Sequence, residues 1–286
     1  MLVPVKEILQ MADQANTSVI GFNCIDYNQV YAIVHAAEET QIPVICMLYP
    51  EHTAQKNMTA PEIFAEIVKN IASEVRIPVG LHMDHCQDIN YINRALKAGF
   101  SCVMYDGSML PFEENIANTK IVADSAHALG ASVEAELGHV GLADTLSDQD
   151  NQDLYTQPDI AARFVEQSSC DALAVAIGSA HGFYKHTPHL DIKRLIEINH
   201  ATSIPLVLHG GTGIPNDQLD LAFVNGINKF NVGTEFFKLY LDLHKEYYSD
   251  KRSDSGIFDF SQFAQPKLMD YIKKKLQLSK FPNNII

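Results

Sequence analysis

The sequence predicts an α/β fold in which eight β-strands alternate with α-helices. Eight short apolar runs, most of them rich in Val, Ile and Leu, are separated by segments with helical periodicity. The runs are spaced roughly 30 residues apart, the length of one strand–helix unit. Eight such repeats favour a closed (β/α)8 barrel, the TIM-barrel fold, over an open doubly wound sheet. The 286 residues, 47% of them hydrophobic, provide one core of that size. We therefore expect a single TIM-barrel domain over residues 1–286 with a C-terminal helical extension.

The apolar runs lack strict alternation of apolar and polar residues, which is typical of parallel strands buried on both faces. In chain order the predicted strands are Val19–Asn23, Pro43–Leu48, Pro78–Asp84, Ser101–Asp106, Ser132–Leu137, Ala172–Ile177, Pro205–His209 and Lys229–Gly233.

Helical patterns lie between these strands and after the last one. The predicted helices are Val30–Glu39, Pro61–Glu74, Ile89–Ala98, Phe112–Leu129, Pro158–Gln167, Lys193–Asn199 and Pro215–Asn225, followed in the extension by Glu235–Tyr248 and Pro266–Leu278. The polar stretch Ser249–Gly256 is predicted to be a surface loop between the last two helices.

Charge and composition argue against several classes of function. The formal net charge is −14, which repels a phosphate backbone and argues against nucleic-acid binding. No apolar run reaches the length of about 18 residues that a membrane-spanning helix needs. The first residues, MLVPVKEILQMADQ, lack the basic and apolar regions of a signal peptide. The five scattered cysteines form no CxxC motif and are typical of reduced thiols. We therefore expect a cytoplasmic protein that binds neither nucleic acid nor membranes.

Polar residues follow most of the predicted strands, at the pole where (β/α)8 barrels carry their chemistry. His85, His181 and His209 follow three different strands. Three imidazoles with an open fourth position are a frequent catalytic zinc site. The alternative is that each is an ordinary loop histidine among the 12 in the chain. Three of them at one pole, beside glycines, favour a metal site.

Glycine-rich turns and carboxylates add to this pole. The segments GGTG (210–213) and VGT (232–234) follow the seventh and eighth strands, where barrels often bind phosphate through backbone N–H groups. The alternative is that they are tight turns that only end the strands. Asp84 adjoins His85 and is a candidate proton donor or acceptor. Glu134 and Glu136, two apart on one strand, face the same side and are either part of the site or a structural clamp on a histidine.

These residues, in this order, resemble the class II fructose-bisphosphate and tagatose-bisphosphate aldolase family. The resemblance spans nearly the whole chain, and its motifs are specific in combination rather than singly. They are GFN (21–23), HMDH (82–85), YDGSMLPFEENI (105–116), VEAELG (133–138), AVAIGSAHGFY (174–184), LVLHGGTG (206–213) and KFNVGTE (229–235).

The resemblance implies reversible cleavage of a phosphorylated ketose, of the fructose or tagatose 1,6-bisphosphate type, to dihydroxyacetone phosphate and an aldehyde. It implies Zn²⁺ on His85, His181 and His209, with Glu136 as an alternative ligand and Glu134 beside the ligands. In this family the zinc polarises the carbonyl and stabilises the enediolate, so no lysine Schiff base is needed. The resemblance also implies Asp84 as the acid–base residue at the aldehyde-derived hydroxyl and Asn231 as a contact of the enediolate.

The resemblance implies further partners of the protein. A sugar phosphate is the implied small-molecule partner, a monovalent cation (Na⁺ or K⁺) is implied beside Gly182, Gly210 and Thr212, and a homodimer or homotetramer is the implied assembly. The implied substrate-binding residues are Asn23, Gly182, Lys185, Gly211, Thr212, Gly233 and Thr234.

Three segments depart from the family pattern. Where the family continues VEAELG with GG and a Glu-rich loop, this chain has GHVGLAD (138–144), so Asp144 stands near the position of the expected catalytic glutamate. After the second strand, MLYPE (47–51) replaces a small or Ser-containing loop near the far phosphate. An inward-pointing Glu51 would repel a phosphate, so we hypothesise that the aldehyde differs from glyceraldehyde 3-phosphate. No clear arginine segment follows the eighth strand; Lys251, Arg252 and QPK (265–267) come nearest.

Other functions stay open at this stage. A zinc hydrolase on the same barrel would use a second metal with more carboxylate ligands, and it leaves Asn231 and GGTG without a task. A non-catalytic sugar-phosphate-binding protein is the alternative that the altered loop at Asp144 suggests. An aldolase for a different, non-phosphorylated aldehyde is the alternative that Glu51 suggests.

Overall fold

The computed structural model of the chain is a closed barrel of eight parallel strands in the order β1 to β8, with helices alternating along the chain. This confirms the (β/α)8 TIM-barrel prediction. The structure describes residues 1–53, 59–138, 140–141, 154–249 and 257–282. The strands are β1 Val19–Asn23, β2 Val44–Leu48, β3 Val79–Cys86, β4 Cys102–Tyr105, β5 Ser132–Leu137, β6 Ala172–Val175, β7 Leu206–Leu208 and β8 Ile227–Val232.

Within the described residues, every helix predicted from the sequence has a counterpart, with ends that differ by a few residues in most cases, and α1 and α3 are additional. They are α1 Val5–Gln14, α2 Tyr27–Thr40, α3 Pro50–Thr53, α4 Pro61–Ala72, α5 Ile89–Ala98, α6 Phe112–His127, α7 Pro158–Ser168, α8 Ile192–Ala201, α9 Asn216–Val224, α10 Thr234–Ser249 and α11 Ile257–Leu276.

The barrel closes where β1 pairs in parallel with β8, with Val19 opposite Lys229 and Gly21 opposite Asn231. Nearly every strand residue is buried, which confirms the prediction from the uninterrupted apolar runs. Along each strand, alternate residues face the barrel interior. Polar residues on these strands therefore lie inside the barrel and need partners there.

Helix α1 was not among the predicted helices. Val5, Ile8, Leu9 and Ala12 are its buried residues, the stripe expected of an amphipathic helix. It packs against β1, β3 and β8. A side chain at Gly80, near the start of β3, would place its Cβ 2.9 Å from Cγ2 of Val5. The absence of a side chain there lets α1 lie close to the barrel.

Helix α11 begins at Ile257 rather than at Pro266, so that the proline lies inside the helix. A proline inside a helix costs one backbone hydrogen bond. A buried stripe, consisting of Phe260, Ala264, Leu268, Ile272 and Leu276, continues through it and compensates for that loss. Helix α11 packs on α2, where Gln265 Nε2 donates to the Asn28 carbonyl at 2.9 Å.

Two further sequence-based expectations concern membranes and thiols. Within the described ranges, no helix combines the length and apolar character that a membrane crossing requires. All five cysteines are buried and carry free thiols.

Candidate active site and metal centre

One cavity of about 310 Å³ lies where polar residues from several strand ends meet. It brings together nearly all the site residues that the sequence predicted within the described ranges. Its lining residues are Asn23, Tyr49, Asp84, His85, Asp106, Ser108, Met109, Glu136, Val140, His181, Gly182, Gly210, Gly211, Thr212, Asn231, Gly233 and Thr234.

The three predicted metal ligands come together at this cavity: His85 and His181 line it, and the fully buried His209 packs against them. The ring centroids of His85 and His209 are 4.5 Å apart, and those of His85 and His181 are 5.0 Å apart. Each of the three offers a ring nitrogen within 4.8 Å of the other two. Nitrogen atoms at these separations can share one metal ion of the kind that imidazoles prefer.

Local strain in the backbone directs His85 into the cavity. The register between β3 and β4 shifts between Met83 and Cys86, which marks an irregularity in the strand. His85 lies in that shift and has a φ of 39°, in the left-handed region that non-glycine residues rarely adopt. Bulges and strained residues of this kind often re-aim a side chain at a functional site.

The unsatisfied polar atoms of this centre fit a metal ion. Among the described residues, His85 Nε2, His209 Nδ1 and Glu136 Oε2 are buried and have no hydrogen-bond partner. Glu136 Oε2 lies 3.4 Å from His209 Nδ1 and 4.0 Å from His85 Nδ1. Buried polar atoms without partners are costly, and a coordinated cation at their meeting point would satisfy them. Nitrogen ligands with a nearby carboxylate suit Zn²⁺.

Carboxylates orient His85 and His209 through the ring nitrogen that faces away from the metal centre. His85 Nδ1 is 2.8 Å from Asp106 Oδ2, and His209 Nε2 is 2.9 Å from Glu134 Oε1. Such bonds fix the tautomer and leave the opposite nitrogen free to bind metal. Burial lowers the pKa of His209, but the carboxylates of Glu134 and Glu136 outweigh burial and raise it to about 10, so a metal ion that binds His209 must displace a proton.

A charged layer lies one step deeper in the barrel. His82, Glu134 and Lys229 each precede a cavity residue by two positions on the same strand, and all three side chains are fully buried. Lys229 Nζ donates to Glu134 Oε2 at 2.8 Å and lies 3.3 Å from His82 Nε2. Burial and the Lys229 charge lower the pKa of His82 to about 3, so this imidazole is neutral.

This layer argues against a two-metal hydrolase. His82, Asp84 and Glu134 are close enough together to hold a cation. The Lys229 ammonium already supplies positive charge between Glu134 and His82, and a divalent ion there would face its repulsion.

Asp84 is held between two amide groups. Asn23 Nδ2 donates to Asp84 Oδ2 at 2.8 Å, and Asn231 Nδ2 donates to Asp84 Oδ1 at 3.1 Å. Burial acts to raise the pKa of Asp84, but the positive charges of His85, His209 and Lys229 bring it well below its usual value. Asp84 is therefore a fixed carboxylate at the edge of the metal centre.

The glycine-rich turns form another wall of the cavity. Gly210 has a φ of 68°, and a Cβ there would lie 2.4 Å from the Ala180 carbonyl oxygen, so only glycine fits. The Tyr184 hydroxyl joins the same two loops, because it accepts from the Ala180 N–H at 2.5 Å and donates to the Gly210 carbonyl at 2.8 Å. Helix α10 begins at Thr234, in the cavity wall. Its first backbone N–H groups favour an anion there.

Two predicted site residues, Lys185 and Asp144, are not among those that the structure brings to the centre. Lys185 is exposed and does not line the cavity, so its substrate contact stays a prediction. Asp144 lies outside the described residues, as do Lys251 and Arg252.

Three residues at the centre had no role in the sequence-based prediction. Asp106 had been noted only as a strand end, and His82 and Lys229 only as motif letters. The alternation that placed Glu134 and Glu136 on one face also places His82 with Asp84, and Lys229 with Asn231. The alternation could therefore have been used in the sequence to find His82 and Lys229, but not Asp106.

Fold and site together define a (β/α)8 enzyme with a candidate histidine metal centre. The chain is 32% identical to the YdjI aldolase from Escherichia coli K12, with a TM-score of 0.85 over 98% of this chain and 97% of that one. It also shares its fold with fructose-bisphosphate aldolase from Campylobacter jejuni, at 21% identity and a TM-score of 0.82 over 99% of this chain and 96% of that one. The family model for fructose-bisphosphate aldolase class-II matches residues 3–283, so the chain belongs to that family of metal-dependent lyases.

Proposed function

We propose that the chain is a zinc-dependent aldolase that reversibly cleaves a phosphorylated ketose to dihydroxyacetone phosphate and an aldehyde. The observation that carries this proposal is the centre itself. Three imidazoles meet, two of them with an unsatisfied nitrogen atom, and a fixed carboxylate, Asp84, lies beside them. The family contains ketose-bisphosphate aldolases, so a ketose of the fructose or tagatose type is the first substrate to test.

Cleavage breaks the bond between C3 and C4 of the ketose. The C4 hydroxyl loses its proton and becomes the aldehyde, while C3 keeps the bonding electrons and later gains a proton. His85, His181 and His209 would hold the Zn²⁺, which supplies a Lewis acid for the ketone oxygen. Glu136 is the alternative ligand. Condensation uses the same groups in the reverse order.

In this proposal, Asp84 accepts the proton of the C4 hydroxyl group. As a carboxylate fixed by two amides, it is oriented to accept the C4 hydroxyl proton in cleavage and to return it in condensation. Asn231 reaches the cavity beside it and would contact the enediolate, and Asn23 would bind substrate from the other side. We assign proton transfer at C3 to Asp144.

The phosphate of the dihydroxyacetone half would lie against the glycine-rich wall. Gly182, Gly211, Thr212, Gly233 and Thr234 line one cavity, and the N-terminus of α10 opens into it. Backbone N–H groups at a helix N-terminus bind phosphate without a lysine. The monovalent cation beside Gly182, Gly210 and Thr212, the contact from Lys185, the cytoplasmic location and the homodimeric or homotetrameric state stay predictions.

The test is dihydroxyacetone phosphate release, followed with a coupled dehydrogenase, from fructose and tagatose 1,6-bisphosphates and their 1-phosphates. We expect release that a chelator abolishes and added Zn²⁺ restores. The control is His189→Ala, which removes an exposed histidine outside the centre and should leave the zinc content unchanged. Zinc binding without release from any ketose would instead support a binding protein, and release that a chelator does not affect would contradict the metal role.

A further inference from the structure

A second cavity of about 280 Å³ adjoins the metal centre. It shares Tyr49, His85 and Asp106 with the first cavity, so the two meet at a candidate metal ligand. Its other lining residues are Pro50, Glu51, Cys86, Gln87, Asp88 and Tyr91. A molecule held at the metal centre can therefore extend into this second space.

The second cavity lies away from the wall assigned to phosphate. Its residues follow β2, β3 and β4, whereas the glycine-rich turns follow β6, β7 and β8. In a closed barrel of eight strands in sequential order, β2 and β3 lie across from β6 and β7. A ketose with its phosphate on the glycine-rich wall and its carbonyl at the metal centre points its aldehyde half towards the second cavity.

The charge of this cavity is negative. Glu51, Asp88 and Asp106 line it, and among the described residues no lysine or arginine lines either cavity. Asp106 is engaged by His85 and by Ser108, whose hydroxyl donates to Oδ1 at 2.7 Å. Glu51 and Asp88 each have a partner too, Tyr49 and the Asn90 N–H, but both are exposed, whereas Asp106 is half-buried, so Glu51 and Asp88 are the carboxylates open to an incoming group. A terminal phosphate would meet them as like charges, which is costly at close range.

Tyr49 connects the second cavity to the metal centre. Its hydroxyl hydrogen bonds to the Glu51 carboxylate, which fixes that acid at the cavity. Its ring meets the His85 ring edge-on, with centroids 5.8 Å apart. An acid is thus positioned along the path of the carbon chain, where a carboxylate accepts hydrogen bonds from hydroxyl groups but cannot pair with a phosphate.

We propose that the second cavity binds an uncharged, polyhydroxylated aldehyde half, and that Glu51 and Asp88 select it by accepting hydrogen bonds from its hydroxyl groups. The substrate is then a ketose phosphorylated only at C1. This inference rests on the proposed aldolase function, and it specifies the half of the substrate that the family resemblance left open.

The experiment measures the two halves of the reaction separately. Metal-dependent exchange of the C3 hydrogen of dihydroxyacetone phosphate with D₂O, followed by NMR, needs no aldehyde and tests the aldolase function. Condensation is then compared for two matched pairs, D-glyceraldehyde against its 3-phosphate and D-erythrose against its 4-phosphate. We expect exchange, and kcat/KM for each neutral aldehyde at least about tenfold above that of its phosphate ester, as like-charge repulsion predicts.

Glu51→Gln and Asp88→Asn test the named acids, alone and combined. Each keeps the shape of the side chain, and the asparagine can still cap α5 as Asp88 does through the Asn90 N–H. The double variant should reduce the neutral-to-phosphorylated ratio by about tenfold or more. Because the result is the ratio of kcat/KM values for two aldehydes, a general loss of activity affects both values and does not change the ratio. Glu166→Gln, on the exposed surface of α7, is the matched control and should leave the ratio unchanged.

Each outcome decides one of the two ideas. Exchange with equal or better use of the phosphorylated aldehydes overturns the neutral-aldehyde inference and leaves the aldolase function standing. A ratio that the double variant does not alter removes Glu51 and Asp88 as its cause and overturns the inference as stated. Absence of exchange from the zinc-loaded wild type overturns the aldolase function, and the inference with it.

Discussion

Lys229 donates a hydrogen bond to Glu134 inside the barrel, with 2.8 Å between Nζ and Oε2, and neither side chain is exposed to solvent. The other oxygen of Glu134 is 2.9 Å from Nε2 of His209. Burial acts to raise the pKa of Glu134, but the Lys229 charge and the hydrogen bond with His209 bring it well below its usual value. Lys229 thus keeps Glu134 ionised, and Glu134 orients a candidate metal ligand.

Replacing Lys229 with methionine should leave Glu134 as an uncompensated buried charge. We expect the free energy of unfolding to fall by about 3–5 kcal/mol, the usual effect of breaking a buried ion pair. Zinc affinity should fall by about 10- to 100-fold, as is typical when a group that orients a ligand is lost. Urea unfolding and zinc competition with a chelator measure the two effects.

The control for Lys229→Met is the double variant with Glu134→Gln. It removes the uncompensated charge, so part of the lost stability should return, while zinc affinity should stay low because the amide orients His209 less strongly. Additive losses of stability in the double variant would contradict the proposed coupling.

Asp106→Asn should weaken zinc binding through His85. Asp106 Oδ2 lies 2.8 Å from His85 Nδ1, and that bond turns Nε2 towards the centre. We expect the Kd for zinc to rise by about 10-fold or more, measured by competition with a chelator. Ser108→Ala removes the hydroxyl that donates to the other oxygen of Asp106 and should have a smaller effect. Equal effects of the two variants would mean that the loop as a whole, rather than the Asp106 carboxylate, positions His85.

Asp84→Ala should strongly slow cleavage without removing the metal. The carboxylate is the group proposed to take the proton of the C4 hydroxyl. Loss of such a group typically lowers kcat by about 10²- to 10⁴-fold. Zinc content, measured by elemental analysis, should be unchanged. Because the exchange of the C3 hydrogen does not involve the C4 hydroxyl, it should be reduced much less than cleavage. Equal losses of exchange and cleavage would assign Asp84 to the metal centre as a whole.

Thr234→Val should weaken binding of the phosphorylated half. Thr234 begins α10 and lines the cavity, so its hydroxyl is available to a phosphate at the helix N-terminus. Loss of one hydrogen bond to a charged group should raise KM by about 10- to 100-fold, with a smaller change in kcat. Inorganic phosphate should inhibit the variant less. Thr202→Val, which removes a hydroxyl bonded to the Ile198 carbonyl outside the site, is the control. An unchanged KM would place the phosphate elsewhere.

The barrel and the upper layer of its site were predictable because their signals are local. Parallel strands buried on both faces give apolar runs, and the residue after each run falls at the pole that carries chemistry. His85, His181, His209 and Asp84 could be found in this way. The signal for α1 was also local, since its buried residues have helical spacing.

The partners of the deeper layer could not be read from the sequence. Alternation places His82 and Lys229 on interior faces, but the contact of Lys229 with Glu134 joins β8 to β5 across the barrel. That contact depends on closure and on the relative heights of the strands, which local patterns do not contain. The turn of His85 into the site likewise follows from a register shift between neighbouring strands. The predicted start of α11 at Pro266 was wrong. A proline favours the first turn of a helix, but this helix packs on α2 and begins earlier in the chain, at Ile257.

Asp171 should contribute to stability in a pH-dependent way. It accepts hydrogen bonds from the Val133 N–H at 2.9 Å and Lys6 at 3.0 Å, and it lies 2.7 Å from His127 Nε2. Burial acts to raise its pKa, but these contacts bring the pKa below its ordinary value of 3.8. The folded state therefore binds this proton less strongly than the unfolded state. Its contribution is present above the unfolded-state pKa and is lost as pH falls through the lower folded-state pKa.

Asp171→Asn should accordingly lower the free energy of unfolding by about 1–2 kcal/mol near pH 6, since it removes a charge that accepts several hydrogen bonds. The difference from wild type should shrink as pH falls below about 4, where the wild-type carboxyl also becomes neutral. Urea unfolding at a series of pH values measures both quantities. Asp13→Asn, at an exposed position of α1, should change stability by no more than about 0.5 kcal/mol. A difference for Asp171→Asn that stayed constant down to pH about 3 would show that shape, rather than charge, gives the residue its effect.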